Sequence, residues 1–162
     1  MKINDIDAFI FDFDGVLTNN HVHIDMTGNE LVTCSRSDGL AFDVLRKLKK
    51  PVYILSTESN KVVTARGSKL KVQVLQGVND KLSALEKLSL DKGYDLNFIC
   101  YVGNDLNDYK AMQHCGFRVC PADSHIDIKN IANIVLLSKG GDGAVRELIE
   151  IHFKINFLDL LY

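Results

Sequence analysis

The sequence predicts an α/β fold, a parallel sheet with helices on both faces. Three observations predict it. Hydrophobic patterns of strand and helix type alternate along nearly the whole chain, as crossover connections require. The first strand pattern, Ala8 to Phe11, is continuously apolar, the mark of a strand buried on both faces. That run ends in Asp12 and Asp14, one residue apart, followed at once by Gly15. Asp is disfavoured in strands, so two at a carboxyl end have either a chemical role or a turn to cap. In open α/β sheets that end is where ligands bind.

After this strand, residues 19–35 alternate in polarity around a Thr-Gly-Asn turn and read as a β-hairpin. Leu40, Ala41, Val44, Leu45 and Leu48 then fall at helical spacing, with Ser37 or Asp38 as the cap and Pro51 beyond the end. A strand at 52–56, a helix over about 60–70 and a strand at 72–75 follow. Next come a helix carrying Leu82, Leu85 and Leu88, a strand at 98–103 and a helix near 107–114. Strands at 117–120 and 133–137 and a helix from Ala144 onward complete the pattern. There is no internal repeat, low-complexity tract or linker, so residues 1–162 read as one domain.

Composition narrows the function. With 25% charged residues and a net charge of −2, the chain resembles an ordinary globular protein. Its Lys and Arg residues are scattered among acids, which argues against a nucleic-acid partner. No apolar stretch reaches membrane-spanning length and the first residues lack an apolar signal segment, so no membrane partner and a cytoplasmic location are expected. Cys34, Cys100, Cys115 and Cys120 form no C-x-x-C pair and no zinc-like spacing. His21 and His23 share one strand face but have no third ligand nearby, which favours an exposed hairpin over a metal site.

Three further polar sites fall at the ends of successive strands. Ser56 and Thr57 follow the strand at 52–56, where a hydroxyl or amide can grip a phosphate oxygen. Lys81 opens a helix, where both its ammonium and the helix end favour an anion. The Gly-Asn-Asp-Leu-Asn-Asp loop at 103–108 offers oxygen ligands suited to magnesium. Singly, each has a plain structural explanation: a strand-end serine, a solvated lysine, a turn. In this order they are far harder to obtain by chance.

That order resembles the haloacid dehalogenase superfamily of phosphohydrolases, whose motifs run DxD, Ser or Thr, Lys, and an acidic loop. The likeness extends from Asp12 to the Gly-Gly-Asp-Gly-Ala-Val-Arg-Glu segment at 140–147. It implies a Rossmann-like domain and a magnesium cofactor, with Asp12 as nucleophile and Asp14 as general acid and base. It implies Ser56, Thr57 and Lys81 as phosphate-binding residues, and metal ligands drawn from Asp12, Asp14, Asn104, Asp105 and Asp108. The sequence departs from the usual pattern at Asn104, where an Asp is commoner; an amide oxygen can coordinate magnesium but brings no charge. Only a hairpin follows the first strand and later gaps are short, so no cap domain is expected. The chain is thereby similar to the capless branch that includes phosphatases of 3-deoxy-octulosonate 8-phosphate and of nonulosonate 9-phosphates, typically homotetramers.

Glu58, Arg66 and Lys69 fall on neighbouring stripes of one helical segment, a placement that surface salt-bridge decoration would also explain. The resemblance reads them instead as substrate-binding, favouring the nonulosonate enzymes, with Arg66 on a sugar-acid carboxylate. Arg36, Asp38 and Gly39 match a family segment near the site entrance. The apolar C-terminal stretch at 153–162 should pack on its own domain or on another subunit. Two other readings stand beside the phosphatase. A receiver domain would place its acceptor Asp at the third strand, which here ends in Ser56; a non-catalytic relative serving assembly would be expected to have lost Asp12 or Asp14.

Overall fold

A computed structural model describes residues 2–162. Along the chain run β1 (Ala8–Phe11), the hairpin β2 (Thr18–Ile24) and β3 (Glu30–Cys34), α1 (Arg36–Lys47), β4 (Val52–Leu55), α2 (Lys61–Leu70) and β5 (Gln73–Leu75). Then follow α3 (Lys81–Lys92), β6 (Ile99–Val102), α4 (Tyr109–His114), β7 (Phe117–Cys120), α5 (Ile126–Ile131) and β8 (Ile134–Val135). The chain closes with α6 (Ala144–Glu147), which runs into a π turn at Leu148–His152, and α7 (Phe157–Leu161).

Six strands form one sheet in the order β5-β4-β1-β6-β7-β8, every neighbouring pair parallel. The chain builds outward from β1 to β4 and β5, then returns to β1's other side with β6. The order therefore reverses at β1, and a crevice opens at the carboxyl ends of β1, β4 and β6. β1 explains the two-sided core. Phe9 and Phe11 point to a cluster with Phe42 and Leu45 of α1, Val63 of α2 and Val145 of α6. Ala8 and Ile10 point to the opposite cluster with Leu85 of α3, Met112 of α4 and Ile128 of α5. Between β1 and α1 lies only the antiparallel hairpin, as expected without a cap.

The structure corrects several local expectations. The cap of α1 is Ser35, whose Oγ accepts a hydrogen bond from the Ser37 amide at 3.2 Å. Asp38 lies inside the helix, fully buried, and accepts from the Arg146 amide of α6 at 3.0 Å. The strand expected at 133–137 shrinks to Ile134–Val135, because the amides of Leu137 and Ser138 donate to the Glu147 carboxylate at 2.9 and 2.7 Å instead. Helix α5 was not expected; His125 caps it, a residue type without a strong N-cap signal.

The tail packs on its own domain, the first of the two expectations made for it. Phe153 packs edgewise on Phe9 and tilts against Phe117, Phe157 is buried, and Lys47 Nζ donates to Leu160 O at 2.5 Å. Leu158 and Tyr162 remain exposed. The hairpin likewise exposes Val22, Ile24, Met26 and Leu31, along with His21 and His23. The four cysteines are free thiols. Among the described residues no helix is long and apolar enough to cross a membrane.

Candidate active site

The Asp12 carboxylate emerges at the end of β1, the strand at which the sheet order reverses. Its Oδ1 accepts from the Phe13 amide at 2.7 Å and lies 2.7 Å from Lys81 Nζ, so both contacts fall on one oxygen and leave Oδ2 for the cleft. Lys81 opens α3 behind the Asp80 cap. The expectation that it offers its charge at a helix end is corrected in detail. The ammonium is buried and lies 2.7 Å from Asp108 as well, between two carboxylates. Desolvation pulls the Lys81 pKa down, but the charges of Asp12 and Asp108 outweigh it and raise it. Burial and the Asp108 charge push Asp12 up, with Lys81 opposing.

Asp108, expected as a metal ligand, is engaged elsewhere. It is fully buried and accepts from Lys81 Nζ, Tyr101 Oη and the main-chain amides of Asn104 and Asp105. Those bonds fold the 103–108 loop around its carboxylate and turn Asn104 toward β1. A Cβ on Gly15 would lie 1.9 Å from Asn104 Nδ2, and Gly15 has φ +79°, so only glycine lets the two loops meet there. Asn104 is buried and its Oδ1 has no hydrogen-bond partner among the described residues. A buried orphan acceptor beside a carboxylate is costly unless something else binds it.

Asp12, Asp14, Asn20, Thr57, Asn104 and Asp105 line a cleft of about 300 Å³. Among the described residues no cluster of three or more His, Cys, Asp or Glu side chains could hold a metal. A cation here would draw on mixed oxygen donors: the Asp12 carboxylate, the Asp14 main-chain carbonyl, Asn104 Oδ1 and Asp105. That hard-oxygen set fits magnesium. Ser56, buried at the end of β4, accepts from the Glu58 amide through Oγ at 3.1 Å and keeps its own hydrogen to donate. Asp14 is half-buried, and its pKa is raised by desolvation and the Glu58 charge. Thr18 Oγ1 touches its carboxylate at 3.4 Å.

The remaining expected residues separate. Glu58 lines a second cleft of about 270 Å³ that shares Asp14 and Asn20 with the first. Arg36, Gly39, Arg66 and Lys69 line a third, of about 300 Å³, which has no lining residue in common with either. Asp38 joins none of them; its carboxylate is used inside the fold. Sequence reasoning overlooked Asn20 and Asn107 at the first cleft, and Tyr101 and Thr18 beneath it. A tyrosine inside the otherwise apolar run at 99–102 was the one signal for Tyr101.

Residues 40–148 match the family of haloacid dehalogenase-like hydrolases. The 3-deoxy-D-manno-octulosonate 8-phosphate phosphatase of Haemophilus influenzae is 31% identical over 148 residues, covering 91% of this chain and 82% of that protein. A HAD family protein from Streptomyces avermitilis superposes with TM-score 0.90 at 41% identity, over 93% of this chain and 86% of the other. The 3-deoxy-D-manno-octulosonate 8-phosphate phosphatase from Moraxella catarrhalis, solved in complex with a magnesium ion, a phosphate ion and a KDO molecule, gives TM-score 0.88 at 30% identity, over 93% of this chain and 87% of that one. A parallel sheet that reverses at an aspartate, with a buried lysine beside it, is thus the haloacid dehalogenase arrangement, and the chain belongs to that family. Within it, the chain is a phosphomonoesterase of the octulosonate 8-phosphate phosphatase-like branch.

Proposed function

We propose that the protein is a magnesium-dependent phosphatase of a phosphorylated keto-deoxy sugar acid, with a nonulosonate 9-phosphate as the favoured substrate. The observation that carries the reading is Asp12, held through one oxygen by Lys81 and an amide while its other oxygen faces a cleft next to the orphan Asn104 Oδ1. Asp12 attacks phosphorus in line, the bond to the sugar oxygen breaks, and an aspartyl-phosphate forms. Asp14 gives its proton to the leaving alkoxide, then takes one from the water that cleaves the acyl phosphate. Ser56, Thr57 and Lys81 hold the phosphoryl oxygens. Asp12, the Asp14 carbonyl and Asn104 would hold magnesium, with Asp105 directly or through water; bound there, it supplies positive charge to the phosphoryl group and to Asp12.

The substrate's remainder runs into the second cleft, where Glu58 accepts from sugar hydroxyls. Arg36, Arg66 and Lys69 line a cleft that shares no residue with the first two, and we assign them to the substrate's carboxylate in the site of a neighbouring copy. The exposed apolar hairpin and tail support that assembly, a homotetramer. An octulosonate 8-phosphate is the second reading, favoured by the names of the phosphatases that this chain resembles.

Phosphate release from a nonulosonate 9-phosphate, octulosonate 8-phosphate and an aryl phosphate, with and without magnesium, tests the proposal. Preference for the nine-carbon acid, lost in Asp12→Asn, is the expected result. Preference for the octulosonate overturns the assigned substrate alone, and no release from any compound overturns the reaction. Light scattering that shows a monomer would remove the role of a neighbouring copy.

A further inference from the structure

Resting on the phosphatase reading above, we propose that Tyr101 is a positioning residue for phosphoryl transfer, acting through Asp108 to hold the Lys81 ammonium against Asp12. An ionised carboxylate offers about four acceptor sites. At Asp108 all four are used: Oδ1 by Lys81 Nζ at 2.7 Å and Tyr101 Oη at 2.9 Å, Oδ2 by the amides of Asn104 at 2.9 Å and Asp105 at 3.4 Å. Three of those donors move with the site they serve, being Lys81 itself and the loop that carries Asn104. Tyr101 is the exception. It sits in the middle of the sheet, on β6, paired in register with Ile10 of β1 and Arg118 of β7. Its ring is fully buried, and Asp108 can only accept, so the phenol hydrogen has one direction to take.

The carboxylate has little freedom of its own. A Cβ on Gly103 would lie 2.6 Å from Asp108 Cγ and 2.7 Å from Oδ2, so the group lies flat on the backbone of its own loop. The phenol then sets where Oδ1 stands, and Oδ1 sets where the ammonium stands. An ammonium has three hydrogens. Asp12 and Asp108 occupy two, which leaves one for a phosphoryl oxygen. Without the phenol, Oδ1 loses a donor in a site fully closed to water, and Lys81 is left as its sole side-chain partner. The ammonium then leans toward Asp108, away from both Asp12 and the phosphoryl group.

The test is Tyr101→Phe, which removes one oxygen and keeps the ring. It is read by kcat, KM, competitive inhibition by inorganic phosphate and the thermal midpoint. We expect a kcat about tenfold lower and a phosphate inhibition constant about fivefold higher in a folded protein. A merely structural tyrosine lowers the midpoint and moves neither kinetic quantity; that result overturns the proposal. Asp108→Asn interrupts the same relay at its middle and is the second variant. It is expected to raise the phosphate constant at least as far, and an unchanged constant there overturns the proposal too. A wild-type protein that releases no phosphate from any substrate fails at the reaction itself, a different result from active wild type with unaltered variants.

Discussion

Among the described residues the molecule carries a single buried cation and an open cluster of three, which differ in where their counter-charge comes from. Lys81 is closed off from water, and the chain places two carboxylates at 2.7 Å from it. Arg36, Arg66 and Lys69 face an open cleft, and none makes an ion pair among the described residues; Asp43, the acid beside them, is held by Arg46 at 2.7 Å. Arg66 Nη2 donates to Ser35 O at 2.7 Å, yet its Nε is buried without a partner. A charge neutralised from within is part of the fold, so its removal is costly. One left unneutralised contributes little to folding and is free to meet an anion from outside.

Lys81→Met should separate the two most sharply. It would leave Asp12 and Asp108 buried and facing each other without a cation, lowering stability by about 3–5 kcal/mol in urea unfolding. Turnover should fall by at least about 100-fold. A variant as stable as wild type would mean that the ammonium is not what permits two buried acids.

Gly15→Ala tests the backbone contact behind the buried cation. The new Cβ meets the Asn104 amide at a left-handed φ, so the loops must part. We expect about a 100-fold loss of turnover and a higher magnesium requirement in a titration of activity. Half-activation at an unchanged concentration would remove Asn104 from the ligand set.

Asp38 is an intermediate case: buried without an ion pair, its Oδ1 accepts from the Arg146 amide at 3.0 Å while its Oδ2 has no partner among the described residues. Desolvation raises its pKa to about 6, against the amides of Arg146, Val145 and Gly143. Since the folded value lies above the unfolded one, its stabilising contribution is whole below about pH 4 and is lost as the pH rises through 6. Relative to Asp38→Asn, wild type should lose about 2–3 kcal/mol over that window. Parallel stability curves would show that the amides already satisfy the charge.

The smallest effect belongs to the open cluster. Arg66→Ala should cost about 1 kcal/mol in urea unfolding, for the lost bond to Ser35 O, and leave aryl phosphate turnover intact, while raising KM for a keto-acid sugar phosphate about tenfold. Equal loss on both substrates would place Arg66 with the phosphate machinery.

Much of this was legible along the chain. β1, β4 and β6 were readable because buried parallel strands are continuous apolar runs, and Asp12, Asp14, Ser56 and Asn104 because they stand where such runs end. The edge was harder. β8 has two residues, and the amides beyond it turn to Glu147, a partner that no local pattern announces. Asp38 was misplaced for a similar reason. A carboxylate two residues into a helix looks like a cap for that helix, and only the packed fold brings the start of α6 to it.

The sequence by itself determined the fold class, the placement of Asp12 and Asp14 at the carboxyl end of the first strand, and the order of the motifs. Strand and helix periodicity and turn chemistry are local, so a single chain displays them. Only the tertiary structure decided that Asp108 and Tyr101 support Lys81, and that the Arg66 cleft stands apart from Asp12. Those are relations among residues far apart in sequence, set by how the helices and loops pack around the sheet.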